Sequence, residues 1–406
     1  MTRKPLLGNR NFSRALNRSA VLNTVKTHGP IGRAEVARRT GLSAATVTGI
    51  TAELIADDLV FEKAAGDSRG GRPPILLALN PRGGFVVGLK LTETEAIGAL
   101  TDLQATVIAK RTDRLAGRSP ERAVNTLANA VAELIGEARI RKGKLIGVGV
   151  GVAGIVDSEH GLIRQSPYFG WQNLPLRDLL QSRVRVPVFI DNDVNTLTLA
   201  EKWFGAGQSV DNFLTVTVGR GVGLGIVVNG QFYRGATGGA GEFGHTVMDP
   251  NGPVCDCGKH GCLESFVGDP GLVRMAADAT ARGELPGPVA DAQSLLALAQ
   301  AGNPAAQAIF ARAGEMLGRG VANLINIFNP QLVLISGEGV RSGDWLFGPM
   351  REAIARHVMP GLAGDAEIRT DSWGDDAWAR GAASLVLRGL FESPVHQEPV
   401  GSSETA

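Results

Sequence analysis

Cysteine is scarce in this chain and confined to one place. Among 406 residues only Cys255, Cys257 and Cys262 are cysteines, and they fall within eight positions. An odd, clustered set makes a poor disulfide framework. It fits either a reduced metal site or three buried or redox-active thiols, both suited to a reducing compartment. Long apolar runs are also missing: the longest, LIGVGVGVAGIV from Leu145, has 12 residues, well short of the roughly 20 that a membrane helix requires. Its glycines suit a buried strand and turn. The N-terminal stretch MTRKPLLGNRNFSRALNRS carries basic residues without an apolar signal core, so no secretion signal is expected. A cytoplasmic address with no membrane partner is the expectation.

What is present belongs to a globular protein of two or three domains, with 44% hydrophobic and 20% charged residues. The net charge of +1 hides an asymmetry. Residues 1–80 hold 12 Lys and Arg against six acids, a surplus of six, which leaves the remainder at −5. A basic head on a mildly acidic body fits a polyanion-binding module joined to a sensing or catalytic domain. A small domain with a solvated basic face would have the same charge.

The order of residues in the head separates these two. RAEVARRTGLSAATVTGITAELIADDLV predicts a helix over Arg33–Thr40, a tight turn at Gly41, and a second helix from the N-cap Ser43 to about Ala56. That is helix-turn-helix spacing, with Ala37 at the crossing and Val47 as apolar anchor. The preceding SAVLNTVKTHG supplies a supporting helix with Val21, Leu22 and Val25 on one face. After it, LVFEKAAGDSRGGRPPILLAL predicts a strand, a Gly/Arg turn and a return strand, the winged variant. Ser43, Ala44, Thr46 and Thr48 would then face the major groove of duplex DNA. Arg69 and Arg72 on the wing tip would enter a minor groove or clamp phosphates. Protein-interaction modules use the same fold, but here a basic surplus and an arginine wing coincide with it.

From Gly84 the texture changes to α/β. GFVVGLKL, AIGALTDL and ATVIAKRTD read as strands, SPERAVNTLANAVAELIGEARI as a helix, and KLIGVGVGVAGIVD and PVFIDND as buried strands. The pattern recurs in NFLTVTVGRGVGLGIVVNGQFYRG, the helical AAQAIFARAGEMLGRGVANLINIFN and the strand PQLVLISGEG. Two similar lobes flanking a cleft are expected. The boundaries expected are residues 1–82 for the DNA-binding head, 83–196 and 197–391 for the lobes, and 392–406 for a disordered tail.

IDNDVNTLTLAE, TVGRGVGLGIVVNGQFYRGATGGAGEFGH, CDCGKHGCLE and NPQLVLISGEG together resemble the ROK family, which groups sugar kinases with sugar-responsive repressors. The resemblance runs in order from about Asn17 to Arg388. It implies an actin/hexokinase-like (ribonuclease H-like) two-lobed domain behind a winged helix-turn-helix. It also implies that His245 joins Cys255, Cys257 and Cys262 in a closed tetrahedral site for structural Zn²⁺, and that Asn192, Asp193, Glu242, His245 and Glu264 contact a sugar. Taken singly, each of these is equally a helix cap or a solvated loop residue. Glu242 and Glu264 flank zinc ligands, so a single metal clasp would position both carboxylates. Gln172 or Asn173 is expected to close the pocket.

In the kinases of this family the position of Asp193 is the general base. The phosphate loops depart from the kinase pattern. Where kinases carry DxGGT, Lys90 to Thr94 read KLTET, and where they carry GTGxGxG the residues from Gly219 read GRGVGLG. A lysine replaces the acid, Thr92 and Glu93 replace glycines, and Arg220 crowds a tight turn. The expectation is therefore a non-enzyme with a vestigial base at Asp193. It would be a homodimeric or homotetrameric repressor of double-stranded operator DNA, released by a monosaccharide or sugar phosphate. An active sugar kinase with an appended head, and a constitutive DNA binder, remain as alternatives.

Overall fold

The computed structural model describes residues 10–64, 75–371 and 376–391. The head opens with helix α1 (Arg10–His28), the short strand β1 (Ile31–Gly32), and helices α2 (Arg33–Thr40) and α3 (Ala44–Ala56). Gly41 ends α2 at φ 70°, a left-handed turn that costs glycine nothing. Ser43 then caps α3 by accepting a hydrogen bond from the Thr46 N–H at 3.1 Å. Strands β2 (Val60–Ala64) and β3 (Ile75–Leu79) pair antiparallel, and β1 adds to β3 as a third strand. The sequence alone predicts only the two wing strands, and β1 is an addition. Arg69 and Arg72, at the expected wing tip, lie outside the described residues, as does the expected tail 392–406.

The first lobe is built from β4 (Phe85–Leu91), β5 (Glu95–Asp102), β6 (Val107–Arg114), α4 (Pro120–Glu137), β7 (Leu145–Val152), β8 (Ile155–Asp157), β9 (Leu162–Ser166), β10 (Trp171–Leu174), α5 (Leu176–Val184), β11 (Val188–Asn192) and α6 (Asp193–Phe204). Its main sheet runs β11-β7-β4-β5-β6, with β4–β5–β6 antiparallel and β7 and β11 parallel to β4. Helix α4 starts at the cap Ser119 followed by Pro120. It buries Val124, Leu127, Val131 and Leu134 on one face, as its 3.6-residue period requires.

The second lobe contains β12 (Phe213–Val218), β13 (Val222–Val228), β14 (Gln231–Phe232), α7 (Glu264–Val267), α8 (Asp269–Ala281), α9 (Ala292–Gln300), α10 (Pro304–Phe328), β15 (Leu332–Ser336), α11 (Asp344–His357) and β16 (Glu367–Thr370). Its sheet runs β14-β13-β12-β15-β16, with an antiparallel hairpin beside parallel strands. This repeats the first sheet strand for strand, so the duplication read from the sequence is present as two sheets of one topology.

One boundary moves. Helix α12 (Asp376–Phe391) returns to the first lobe, where it packs on β4, β7 and α6, so residues 376–391 do not belong with 197–391. Glycines make the seat. A Cβ at Gly88 would stand 1.9 Å from the Ala379 carbonyl oxygen, and one at Gly149 would stand 1.7 Å from that of Ala382. The alternating glycines of β7 thus admit a helix backbone directly onto the sheet. Further along, α12 contributes Val386, Leu387 and Phe391 to one apolar core shared with Val21, Leu22 and Val25 of the head and Val86 and Leu103 of the lobe.

Candidate ligand cleft and metal centre

The cysteine-rich segment folds as two short antiparallel bridges, Val247 with Cys262 and Val254 with His260. These bring Cys255, Cys257, Cys262 and His245 together, with all four donor atoms within 4.8 Å of one another. Cys257 Sγ lies 3.6 Å from Cys262 Sγ, and Cys255 Sγ lies 3.5 Å from His245 Nδ1. A tetrahedral ion with bonds of about 2.3 Å to sulfur holds its sulfurs about 3.8 Å apart, so the set fits a closed four-coordinate site. Burial pushes the Cys255 thiol up to about 12, which leaves it protonated until a cation displaces the proton. The other face of the His245 ring is turned to a carboxylate: Nε2 is 3.8 Å from Glu242 Oε2. At that distance Glu242 is a charged neighbour of the ring and not a hydrogen-bonded orienting partner.

Between the lobes lies a cleft of about 750 Å³. Asn192, Asp193, Glu242, His245 and Glu264 all line it, so the fold gathers the five expected residues from three separate segments. They are not equally free. Asn192 caps α6: its Oδ1 accepts from the Val194 and Asn195 N–H groups, and its Nδ2 donates to the Gly154 carbonyl. The helix-cap reading therefore holds for Asn192, which keeps one amide hydrogen for a ligand. Glu264 Oε2 accepts the Val222 N–H at 2.9 Å, which fixes its carboxylate beside the loop at Gly221. Asp193 sits at the first turn of α6. Desolvation raises its pKa, and the Lys90 charge opposes the shift.

Gln172 and Asn173 do not line the cleft. Both are exposed on β10, while the turn ahead of them, with Pro167 and Tyr168, bends into the cavity together with Gln165. Trp171 pairs with Ser166 across this hairpin, which aims the turn inward and the following residues out. Tyr168 was missed by the sequence reading. Its hydroxyl would lie 2.8 Å from a Cβ at Gly221, and burial raises its pKa.

The other half of the cleft is occupied by side chains. The Lys90 ammonium, on buried β4, lies 3.6 Å from the Trp378 ring centroid and 3.9 Å from Glu338 Oε1. The Arg220 guanidinium reaches Glu93 Oε1 at 3.0 Å and Asp256 Oδ2 at 3.3 Å, and stacks over Tyr168. Glu93 also accepts from Arg118. Lys90 and Glu93 come from the first lobe and Glu338 and Arg220 from the second, so two ion pairs cross the cleft. Trp378 was not anticipated, because its partner Lys90 lies 288 positions away in the chain.

On the head, Ala44 and Thr48 are exposed on the first two turns of α3. Ser43 and Thr46 are tied to each other by a 2.8 Å hydrogen bond and to the cap, and Thr48 Oγ1 donates to the Ala44 carbonyl. Ala45 and Gly49 share the exposed surface. On the far side of the head, Lys26 of α1 points into a ring of aromatics, Trp203 and Phe204 at the end of α6 and Phe391 at the end of α12.

A winged head joined to a duplicated, clefted α/β body with a Cys3His clasp defines a class of protein, and comparison with known sequences and structures resolves it further. Residues 86–389 match the ROK family, and the chain belongs to that family. It is 32% identical over 396 residues to the putative xylose repressor of Caldicellulosiruptor sp. (strain Rt8B.4), covering 96% of this chain and 99% of the relative. Among solved structures it is similar to a ROK family transcriptional regulator homologous to the E. coli MLC protein, with a TM-score of 0.83, 27% identity, and 94% and 97% of the two chains covered. A ROK family glucokinase from Streptomyces griseus, in complex with glucose and AMPPNP, matches with a TM-score of 0.65 and 27% identity. That match covers 99% of the glucokinase but 74% of this chain. Among the described residues no helix is long and apolar enough to cross a membrane.

Proposed function

We propose that this protein is a sugar-responsive transcriptional repressor that binds double-stranded operator DNA through its winged head and a monosaccharide or sugar phosphate in the interlobe cleft. The observation that carries the reading is the arrangement of α12. Its first turns present Trp378 to Lys90 in the cleft, and its last turn places Phe391 in the core of the head. They lie thirteen positions apart along the helix, about 20 Å at 1.5 Å per residue. A change in lobe angle that disturbs the Lys90–Trp378–Glu338 group is thereby transmitted to the seat of α1 by a rigid element. The coupling can be no larger than the sugar's preference for one lobe arrangement over the other.

Ser43, Ala44, Thr46 and Thr48 serve the major groove, with Arg69 and Arg72 on the wing. Asn192, Asp193, Glu242, His245 and Glu264 serve the sugar. Zn²⁺ on His245, Cys255, Cys257 and Cys262 is structural, since four protein ligands leave no open position. When bound, it fixes the loop that carries Glu242 and Glu264. The working form is a homodimer or homotetramer, because a helix-turn-helix head reads paired half-sites, and its place is the cytoplasm.

Phosphoryl transfer is absent in this reading. Asp193 is retained as a base, but Lys90 and Glu93 stand where kinases of the family have an acid and a glycine, and both are engaged in ion pairs. The test is an operator-shift titration with a panel of monosaccharides. One sugar is expected to weaken operator binding at saturating levels. If no sugar changes operator affinity while saturable sugar binding persists, sensing fails. If sugar and ATP give turnover at ordinary kinase rates, the enzyme reading replaces this one.

A further inference from the structure

The cleft is strongly acidic, and its cations are already engaged. Six carboxylates line it (Glu93, Asp193, Glu242, Asp256, Glu264 and Glu338), against three cations, Lys90, Arg220 and Lys259. Each of the three has partners. Lys90 lies against Trp378 and near Glu338, Arg220 is bracketed by Glu93 and Asp256, and Lys259 Nζ donates to the His245 carbonyl at 2.7 Å. A zinc ion held by three thiolates and an imidazole would not reverse the sign, because the ligand charge exceeds that of the ion.

Space does not exclude a phosphate, since a cavity of about 750 Å³ exceeds a monosaccharide and its ester. Charge does. Beyond Asp193 the cleft continues to Lys90 and Arg220, the one stretch where a phosphate could find two cations. There Glu338 and Glu93, reaching in from opposite lobes, have taken them. A dianion entering would have to displace these carboxylates or sit among them at short range. In a partly desolvated site that repulsion is far less screened than in water. A neutral polyol meets no such cost, and carboxylate acceptors suit its hydroxyls.

We infer that Glu93 and Glu338 are specificity-determining residues: by holding Arg220 and Lys90 they make the cleft select an unphosphorylated sugar and reject its phosphate ester. This rests on the sugar-sensing reading above and narrows it to one chemical class of effector.

The test is calorimetry on the full-length, metal-loaded protein with D-xylose, D-glucose and N-acetyl-D-glucosamine, each beside its phosphate ester (xylose 5-phosphate, glucose 6-phosphate and N-acetylglucosamine 6-phosphate). The wild type is expected to bind one parent sugar at least about tenfold more tightly than its ester, and added salt should narrow that ratio by weakening the repulsion. In the double variant Glu93→Gln/Glu338→Gln the ratio should shrink several-fold, chiefly through tighter binding of the ester. Thermal unfolding and metal content confirm that the variant is folded. If it is not, the half-exposed Glu338→Gln alone and the salt dependence of the wild type carry the same test. An ester bound as tightly as its parent sugar by the wild type overturns the inference and leaves sugar sensing intact. So does an unchanged ratio in a folded variant that still binds the parent sugar. If neither sugars nor esters bind, the sensing reading falls and this inference with it.

Discussion

The Lys26 ammonium lies 3.8 Å from the centroid of the Trp203 indole and 4.4 Å from that of the Phe391 ring. Three elements meet there: α1 of the head, the end of α6 that begins at Asp193, and the end of α12 that begins beside Trp378. A partly buried cation over aromatic faces is worth about 0.5–2 kcal/mol. Lys26→Met keeps the length and removes the charge. It should lower stability by about 1 kcal/mol, leave sugar affinity nearly unchanged, and reduce the sugar's effect on operator affinity. Shift assays with and without sugar would check this; an undiminished sugar effect would remove α1 from the route.

Zinc analysis should find about one ion per chain, as a closed four-ligand site requires. A strong chelator should lower the unfolding temperature and abolish sugar binding together, because the same loop carries Glu242 and Glu264. Cys262→Ser should do likewise. Sugar affinity that survives metal removal would separate the clasp from the pocket.

Glu201 is buried on α6 with one backbone donor, the Ala206 N–H at 3.0 Å. Burial pushes its pKa from 4.5 to about 7. A carboxyl raised on folding favours the protonated native state, so its stabilising effect is complete below about pH 4.5 and is lost as pH rises through about 7. Glu201→Gln should flatten that window and stabilise the protein above it, by at most about 3 kcal/mol. Denaturant melts across pH 4.5–8 would read the difference between the two proteins.

Lys90→Asp restores the acid of the kinase pattern at one position only. Thr92 and Glu93 still crowd the first loop, and Arg220 still fills the second, paired with Glu93. The single variant should therefore remain without ATP-dependent sugar phosphorylation in a coupled assay. It should also lose stability, because Glu338 and Asp193 would then face a third carboxylate instead of a cation.

Thr48 is exposed on the second turn of α3. Thr48→Glu places a negative charge against the DNA backbone or base edges and should weaken operator binding by at least about tenfold. Sugar affinity and melting temperature should stay close to wild type. Equal operator affinity would place the recognition surface elsewhere on the head.

Much of this architecture was readable in the chain, and the reasons are local. Gly41 and Ser43 mark the turn and cap of the helix-turn-helix because only certain residues serve there. Strand pairs such as Phe85–Leu91 and Glu95–Asp102 declare themselves through apolar continuity and short turns. The Cys3His cluster is legible because its chemistry tolerates few substitutes. What stayed hidden depends on long-range placement. Trp378 meets Lys90 only because α12 folds back across the first sheet, and nothing near either residue signals that return. Tyr168 and Gln172 are four residues apart in one hairpin, and the pairing of Trp171 with Ser166 decides which of them enters the cleft. Asn192 was read as a ligand group, but its position just before α6 commits most of its amide to capping.

The core that joins Val21, Leu22 and Val25 to Val86, Leu103 and Phe391 also bears on how such regulators can be recombined. A head cut away near residue 82 would expose the apolar side it now shares and would tend to self-associate. A chimera that grafts a foreign reading head onto this body would need a matching seam on α1 as well as a suitable recognition helix. Exchange of operator preference is then easier by point changes along α3 than by trading whole modules.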